Sequence, residues 1–273
     1  MLRAGTVADR PQAAELRRAA AASLPPAALE SASERRAAAW AALVAHAAAK
    51  RVVLPLILFA IAFGYTEATQ VEYLRTIVAP IRTRLGLAPD DLFPLPDLDR
   101  VGPARALVPK EQIREGATIV MLAGVAWAVT GDFRTWLSAL ALIFGVWDLA
   151  YYAWLRVLLG WPTSVFDWDI LFLLPVPWAA PVLAPLISAS SLAWGGVVAL
   201  LNPPARVSKI AWLLLVGAGV VMTATFAWDW RYWLAGGMPR GFPWAVFGAA
   251  ELMGVVGYLL TRKPDPSASN FAL

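Results

Sequence analysis

The amino-acid sequence predicts an all-α fold, a polytopic membrane helix bundle with about six transmembrane helices. Hydrophobic residues make up 59% of the 273 residues and charged residues only 15%, a composition too apolar for a water-soluble domain. Several apolar segments reach the roughly 20 residues that a helix needs to cross a bilayer. Polar turns rich in proline and glycine separate these segments, and such residues interrupt helices.

The fourth apolar segment is the least regular of the predicted spans. The predicted bounds of the six spans are residues 52–78, 111–129, 135–159, 170–201, 210–228 and 243–260. Four prolines, Pro175, Pro177, Pro181 and Pro185, fall within the fourth span, and each removes a backbone donor. We therefore expect residues 170–201 to be a helix broken by these prolines, with its free backbone groups facing Glu67 or Glu251.

The chain outside the spans is polar, charged or rich in proline. Residues 1–51 are rich in alanine and arginine, so we expect an amphipathic helical tail that lies on the lipid surface or docks a protein partner. Residues 79–110 contain six prolines and four aspartates, which favours a solvated loop over a calcium-binding one. Residues 263–273 form a polar C-terminal tail after the membrane domain of residues 52–262.

The distribution of basic residues predicts the orientation. Six spans with both ends in the cytoplasm place thirteen lysines and arginines inside and ten outside, in the direction of the positive-inside rule. We expect a bacterial inner-membrane protein with both termini cytoplasmic. A cleaved signal peptide is not expected, because the first long apolar run begins near Val52.

Four of the predicted helices each carry a carboxylate in the membrane half away from both termini. These residues are Glu67, Glu115, Asp148 and Glu251. A carboxylate within hydrocarbon is costly unless it is paired, protonated or exposed to water, so it indicates a functional site by default.

Six further residues near the same face complete the candidate site. They are Glu72, Arg75, Tyr152, Arg156, Asp167 and Asp169. Asp148, Tyr152 and Arg156 share one stripe of the third helix. Together with the four carboxylates, these residues predict a polar cavity near the outer membrane face. A structural salt-bridge network at the headgroup level is the alternative interpretation.

Tryptophans are concentrated near the same face, where they are typical of an interfacial aromatic belt. Some stand beside carboxylates, as Trp147 does beside Asp148, and Trp168 between Asp167 and Asp169. Carboxylates next to aromatic rings also suit an organic cation, or a sugar ring stacked on the aromatic face.

The residue types that are missing exclude several cofactors. The chain has no cysteine, and its one histidine, His46, lies in the predicted tail, so haem, zinc and a Ser-His-Asp triad are not expected. None of the four lysines lies mid-helix, which argues against retinal, and a glycine-rich phosphate loop for a nucleotide is missing. No nucleic-acid partner is expected, whereas a hard cation such as Mg²⁺ or Ca²⁺ is compatible with the carboxylates.

Three functions are compatible with these residues. The first, which we favour, is transport or binding of a small molecule or cation in the polar cavity. The second is a membrane enzyme for a lipid or lipid-linked substrate at the outer face, with a carboxylate as base and an arginine holding an anionic group. The third is an accessory subunit of a larger membrane complex. The expected partners are the bilayer and a small-molecule, cation or lipid ligand.

Overall fold

The computed structural model describes residues 26–88, 92–93, 107–202 and 207–261. The secondary structure is mostly helical, as predicted, with one two-stranded β-hairpin between the third and fourth helices. The helices are α1 (Pro26–Arg84), α2 (Leu107–Ala128), α3 (Phe133–Leu159), α4 (Leu183–Leu201), α5 (Lys209–Phe226), α6 (Trp230–Leu234) and α7 (Trp244–Thr261). The strands are β1 (Trp168–Phe172) and β2 (Trp178–Pro181).

Internal contacts divide the chain into two units, Met1–Lys50 and Arg51–Leu273. Within the first unit, residues 26–50 are helical, whereas the rest of the predicted tail and the side chain of His46 lie outside the described residues. The predicted C-terminal tail and most of the predicted loop at residues 79–110 also lie outside them.

Five helices are long and apolar enough to cross a membrane, which is the pattern of a membrane-embedded protein. They are Arg51–Arg84, Phe133–Leu159, Leu183–Leu201, Lys209–Leu234 and Trp244–Thr261. The second predicted span corresponds to α2, a helix of 22 residues. It is not one of the five, since its first turns carry Glu111, Arg114 and Glu115.

The prediction of a broken helix is wrong for residues 170–181, which form an antiparallel hairpin instead. Pro175 and Pro177 lie in the hairpin turn, and Pro181 ends β2, so their missing N–H groups interrupt no helix. Pro185 lies in the first turn of α4, where backbone N–H groups have no intrahelical acceptor. A hairpin and the first turn of α4 therefore accommodate all four prolines, and the helix begins only after β2.

Helices α3 and α4 pack closely and run antiparallel. A Cβ atom on Gly145 would lie 2.4 Å from the carbonyl oxygen of Ala189 and 2.5 Å from the backbone nitrogen of Ala193. Similarly, a Cβ atom on Gly196 would lie 2.5 Å from the backbone nitrogen of Leu142. Small residues at such points let helix backbones approach each other in membrane proteins. These two contacts determine the register between α3 and α4.

Helices α5 and α7 form the second close pair. Gly257 of α7 lies against Leu214 and Leu215 of α5. A Cβ atom added to Gly257 would be 3.0 to 3.2 Å from atoms of these two leucines. Helix α1 packs across α3 at Gly64, which faces Trp147 and Ala150. The space between the α3–α4 pair and the α5–α7 pair is only partly filled by side chains.

Candidate binding cavity

A cavity of about 1210 Å³ lies between the two helix pairs, and α1, α2 and the hairpin also contribute to its wall. Along α3, the residues that line it run from Arg134 to Tyr152. At 1.5 Å per residue this length is about 27 Å, close to the roughly 30 Å thickness of the hydrocarbon core of a bilayer. The cavity therefore extends along most of the length of the bundle.

Seven of the ten predicted site residues line this cavity. They are Glu67, Arg75, Glu115, Asp148, Tyr152, Asp169 and Glu251. The other three, Glu72, Arg156 and Asp167, are not part of its wall. The four carboxylates of α1, α2, α3 and α7 thus share one cavity, although their hydrogen-bond partners differ.

Glu67 is a member of a buried ion-pair network between α1 and α2. Its side chain pairs with the guanidinium group of Arg114 and accepts a hydrogen bond of 3.0 Å from the hydroxyl of Thr118. Arg114 also donates to Glu111, at 2.8 Å from its Nε atom. Because Glu67 is only 8% exposed, the pairing offsets a carboxylate that would otherwise be buried without a counter-charge. This part of the cavity fits the salt-bridge interpretation.

Glu115 holds the backbone of the hairpin. The N–H of Leu173 donates to Glu115 at 2.8 Å, and the side-chain amide of Gln112 donates to the carbonyl of Leu173 at 3.1 Å. Gln112 and Glu115 are three residues apart and therefore lie on one face of α2. The expectation that free backbone near the prolines faces Glu67 or Glu251 is wrong for Leu173, which binds Glu115. Gln112 was missed because an amide near a helix start has no distinguishing sequence signal.

Asp169 lies on β1 and is 4% exposed. It accepts hydrogen bonds of 2.9 Å from the hydroxyl of Tyr152 and 2.9 Å from the N–H of Ile170. Burial raises the pKa of Asp169 to about 6, although both hydrogen bonds and the positive charge of Arg75 act to lower it. Arg75 stacks on the ring of Trp161, with 4.7 Å between the guanidinium carbon and the ring centroid.

Asp148 and Glu251 have no cationic partner among the described residues. Asp148 is half-buried and has no hydrogen bond to any described group. Glu251 accepts hydrogen bonds from the hydroxyls of Ser188 at 2.7 Å and Ser191 at 3.1 Å. These serines were missed in the sequence, because a serine in an apolar helix commonly bonds its own backbone.

Asp148 and Glu251 lie at a similar depth in the bundle. Helices α3 and α4 are antiparallel, and Gly145 faces the α4 backbone between Ala189 and Ala193. Between antiparallel helices, a step toward the C-terminus of α3 corresponds to an equal step toward the N-terminus of α4. Asp148 follows Gly145 by three positions, so it is level with the residue about three positions before the middle of the Ala189–Ala193 segment. Asp148 is thus level with Ser188, which donates to Glu251.

Arg156 and Asp167 stabilise the loop between α3 and β1 rather than the cavity. Arg156 is exposed and donates to the carbonyl of Pro162 at 3.0 Å. Asp167 accepts from the N–H groups of Thr163 at 2.7 Å and Ser164 at 3.1 Å. Partial burial alone would raise the pKa of Asp167, but these hydrogen bonds hold it below its ordinary value.

The aromatic residues occupy two different environments. Trp147 is 6% exposed and packs against Phe144, with 5.2 Å between the ring centroids. It belongs to the wall of the cavity and not to an interfacial belt. Trp228, in contrast, is exposed and is not part of the cavity wall, so a lipid interface would accommodate it.

A metal centre is not evident in the described ranges, where no group of three or more histidine, cysteine, aspartate or glutamate side chains is placed to hold an ion. A hard cation such as Mg²⁺ or Ca²⁺ therefore stays a prediction from the sequence.

The fold and the cavity together define a membrane-embedded helical protein with an internal cavity lined by carboxylates. Five helices are long and apolar enough to cross a membrane, and a cavity with carboxylates on several walls lies between them. No family model, curated protein or solved structure matches this chain. Its function is therefore argued from the cavity itself.

Proposed function

We propose that this protein binds a small molecule in the cavity between its helices and transports it across the membrane. The observation that carries this proposal is the length of the cavity, whose wall follows α3 from Arg134 to Tyr152. An enzyme for a lipid substrate at one face needs a pocket only at that face. Binding sites between the helices of transporters lie near the bilayer midplane and are reached in turn from both sides.

The outer surface of α2 supports a sixth span. From Glu111 onward, the exposed residues of α2 are all apolar or small: Ile113, Ala117, Ile119, Val120, Met121, Gly124, Trp127 and Ala128. Its polar residues Gln112, Glu115 and Thr118 instead contact other parts of the protein. A helix that is apolar outside and polar inside suits lipid on one face and a cavity on the other. With six spans both termini lie on one side of the membrane, and the excess of basic residues there supports a cytoplasmic location in a bacterial inner membrane, with the hairpin at the outer face.

Cysteine labelling tests this proposal, because the chain contains no cysteine of its own. Single cysteines at Ser138, near one end of the cavity, and at Ser191, beside Glu251, line the cavity. The matched control is Ala153, an exposed residue of α3 outside the cavity, which we expect to face lipid.

We expect a small, uncharged, membrane-impermeant thiol reagent to label Ser138→Cys and Ser191→Cys, but not Ala153→Cys. Alternating access predicts that, across right-side-out and inverted vesicles, Ser191→Cys reacts from both sides. A pocket that opens only outward would leave it unreactive in inverted vesicles. Failure of both cavity positions to react would show that the cavity holds no water, and the proposal would then be wrong.

A further inference from the structure

We propose that the ligand of this cavity is an amphipathic organic cation, whose positive group lies between Asp148 and Glu251 while its apolar part contacts the aromatic wall. This inference rests on the proposed function, since it assigns a class of ligand to the same cavity. It follows from the charges that the protein leaves without a partner.

Most of the charged groups in the cavity wall offset one another. Glu67 and Glu111 both bind Arg114. Glu115 accepts the N–H of Leu173, and Asp169 accepts the hydroxyl of Tyr152 beside the positive charge of Arg75. The other two arginines of the wall, Arg82 and Arg134, have partners of their own. Glu115 and Asp169 have no ion pair among the described residues, but the positive charges of Arg114 and Arg75 act on them. Asp148 and Glu251 are the other two wall carboxylates without an ion pair there, and no described arginine is found to act on Asp148.

Asp148 is the less satisfied of the two carboxylates. No described group donates a hydrogen bond to it, and the charge that influences it most directly is the carboxylate of Asp169. It stands in the interior of α3, a helix of 27 residues that is apolar enough to span a membrane. An acid at such a position requires a counter-charge, a proton or water. A cationic group in the cavity supplies the counter-charge.

Glu251 extends this negative region to the opposite wall. Ser188 and Ser191 each donate to a different carboxylate oxygen, and neutral hydroxyls leave the formal charge of Glu251 uncompensated. Because Asp148 is level with Ser188, the two carboxylates are at a similar depth on α3 and α7. One positive group between them would interact favourably with both, whereas an anion would be repelled by both.

The size and chemistry of the wall favour an organic ion over a metal ion. Cavities of roughly 300–1,000 Å³ hold drug-sized ligands, and this one is about 1210 Å³. Trp147, next to Asp148 in the chain, and Phe144 line it, and aromatic faces attract organic cations. The buried indole N–H of Trp147 has no acceptor among the described residues, so a donor is available to a bound molecule or water.

Two ions of the same shape and opposite charge test the inference. The full chain is reconstituted in lipid nanodiscs, and saturable binding of radiolabelled tetraphenylphosphonium is compared with that of tetraphenylborate. We expect binding of the cation only. Asp148→Asn should weaken its affinity by about tenfold or more, since it removes an unpaired charge in a site of low dielectric constant. Glu251→Gln should weaken it in the same direction.

Asp132→Asn is the matched control for these variants. Asp132 lies on the same segment as Asp148, immediately before α3, but outside the cavity. Asparagine is also a good N-terminal cap, so this variant should bind the cation as the unaltered protein does.

Equal binding of both ions, no saturable binding of the cation, or unchanged cation affinity in both Asp148→Asn and Glu251→Gln would overturn the inference. If Asp148→Asn loses its helical circular dichroism, the Glu251→Gln comparison decides. Labelling of Ser138→Cys and Ser191→Cys uses an uncharged reagent and does not depend on ligand charge. An accessible cavity without cation selectivity would therefore refute the ligand class and leave the proposed function intact.

Discussion

At the scale of single residues, the carboxylates of this cavity differ in how the fold satisfies them. Glu67 has an arginine, Asp169 has a tyrosine hydroxyl and a backbone N–H, and Glu251 has two serine hydroxyls. Asp148 has no hydrogen-bond donor among the described groups. Acidic residues that line one cavity therefore have different chemical properties, and this difference is the basis for assigning roles to them.

Asp169 gives a prediction about pH. Its pKa rises from an ordinary 3.8 to about 6 in the folded protein, chiefly because it is buried. The folded state then binds more protons than the unfolded state between these values, so stability falls as pH rises through this window. The contribution of this one group is about 3 kcal/mol at most.

We expect the thermal midpoint of the unaltered protein in nanodiscs to fall between pH 4 and pH 6 by more than that of Asp169→Asn. Tyr152, Arg75 and Asp148 also face this carboxylate or act on it, so the comparison with Asp169→Asn isolates its own contribution. Identical pH profiles for the two proteins would contradict the prediction.

At the scale of elements, the α3–α4 contact determines which residues face each other across the cavity. Gly145→Ala would place a Cβ atom 2.4 Å from the carbonyl oxygen of Ala189, and the backbone cannot yield without moving a helix. Overpacking of this kind costs about 1–3 kcal/mol. We expect Gly145→Ala to unfold at lower denaturant in mixed micelles, as followed by circular dichroism.

Gly248→Ala is the control for this substitution. Gly248 lies within α7 and has no atom within 4 Å of an added Cβ, so the change only improves helix propensity, by up to about 1 kcal/mol. It should leave the unfolding midpoint unchanged or raise it slightly. Equal behaviour of the two variants would mean that α3 and α4 do not pack as closely as described.

At the scale of the whole molecule, the number of spans determines on which side of the membrane the C-terminus lies relative to the N-terminus. Counting α2, the six spans place both termini on one side of the membrane, whereas five spans place them on opposite sides. We expect a green fluorescent protein fused to the C-terminus to fluoresce in the cytoplasm, and alkaline phosphatase at the same position to be inactive. The reverse pattern with a cytoplasmic N-terminus would show that α2 does not cross the membrane.

The prediction from sequence succeeded where the signal is local. Apolar segments of membrane-spanning length indicated α3, α5 and α7 to within a few residues, because hydropathy is a property of a continuous stretch of chain. It was wrong for residues 170–181, where three prolines in an apolar run are compatible with a broken helix or a hairpin. The pairing of β1 with β2 depends on backbone hydrogen bonds across a tight turn, which hydropathy alone does not specify.

The sequence by itself determined the class of protein and identified four helices that each carry an acid, because composition and helix length depend on neighbouring residues only. The tertiary structure decided which of those acids is satisfied. Arg114, Leu173, Ser188 and Ser191 meet their carboxylates across sequence separations of 47 to 63 residues. Such contacts depend on the packing of whole helices, which brings Glu67 to an arginine and leaves Asp148 facing an open cavity.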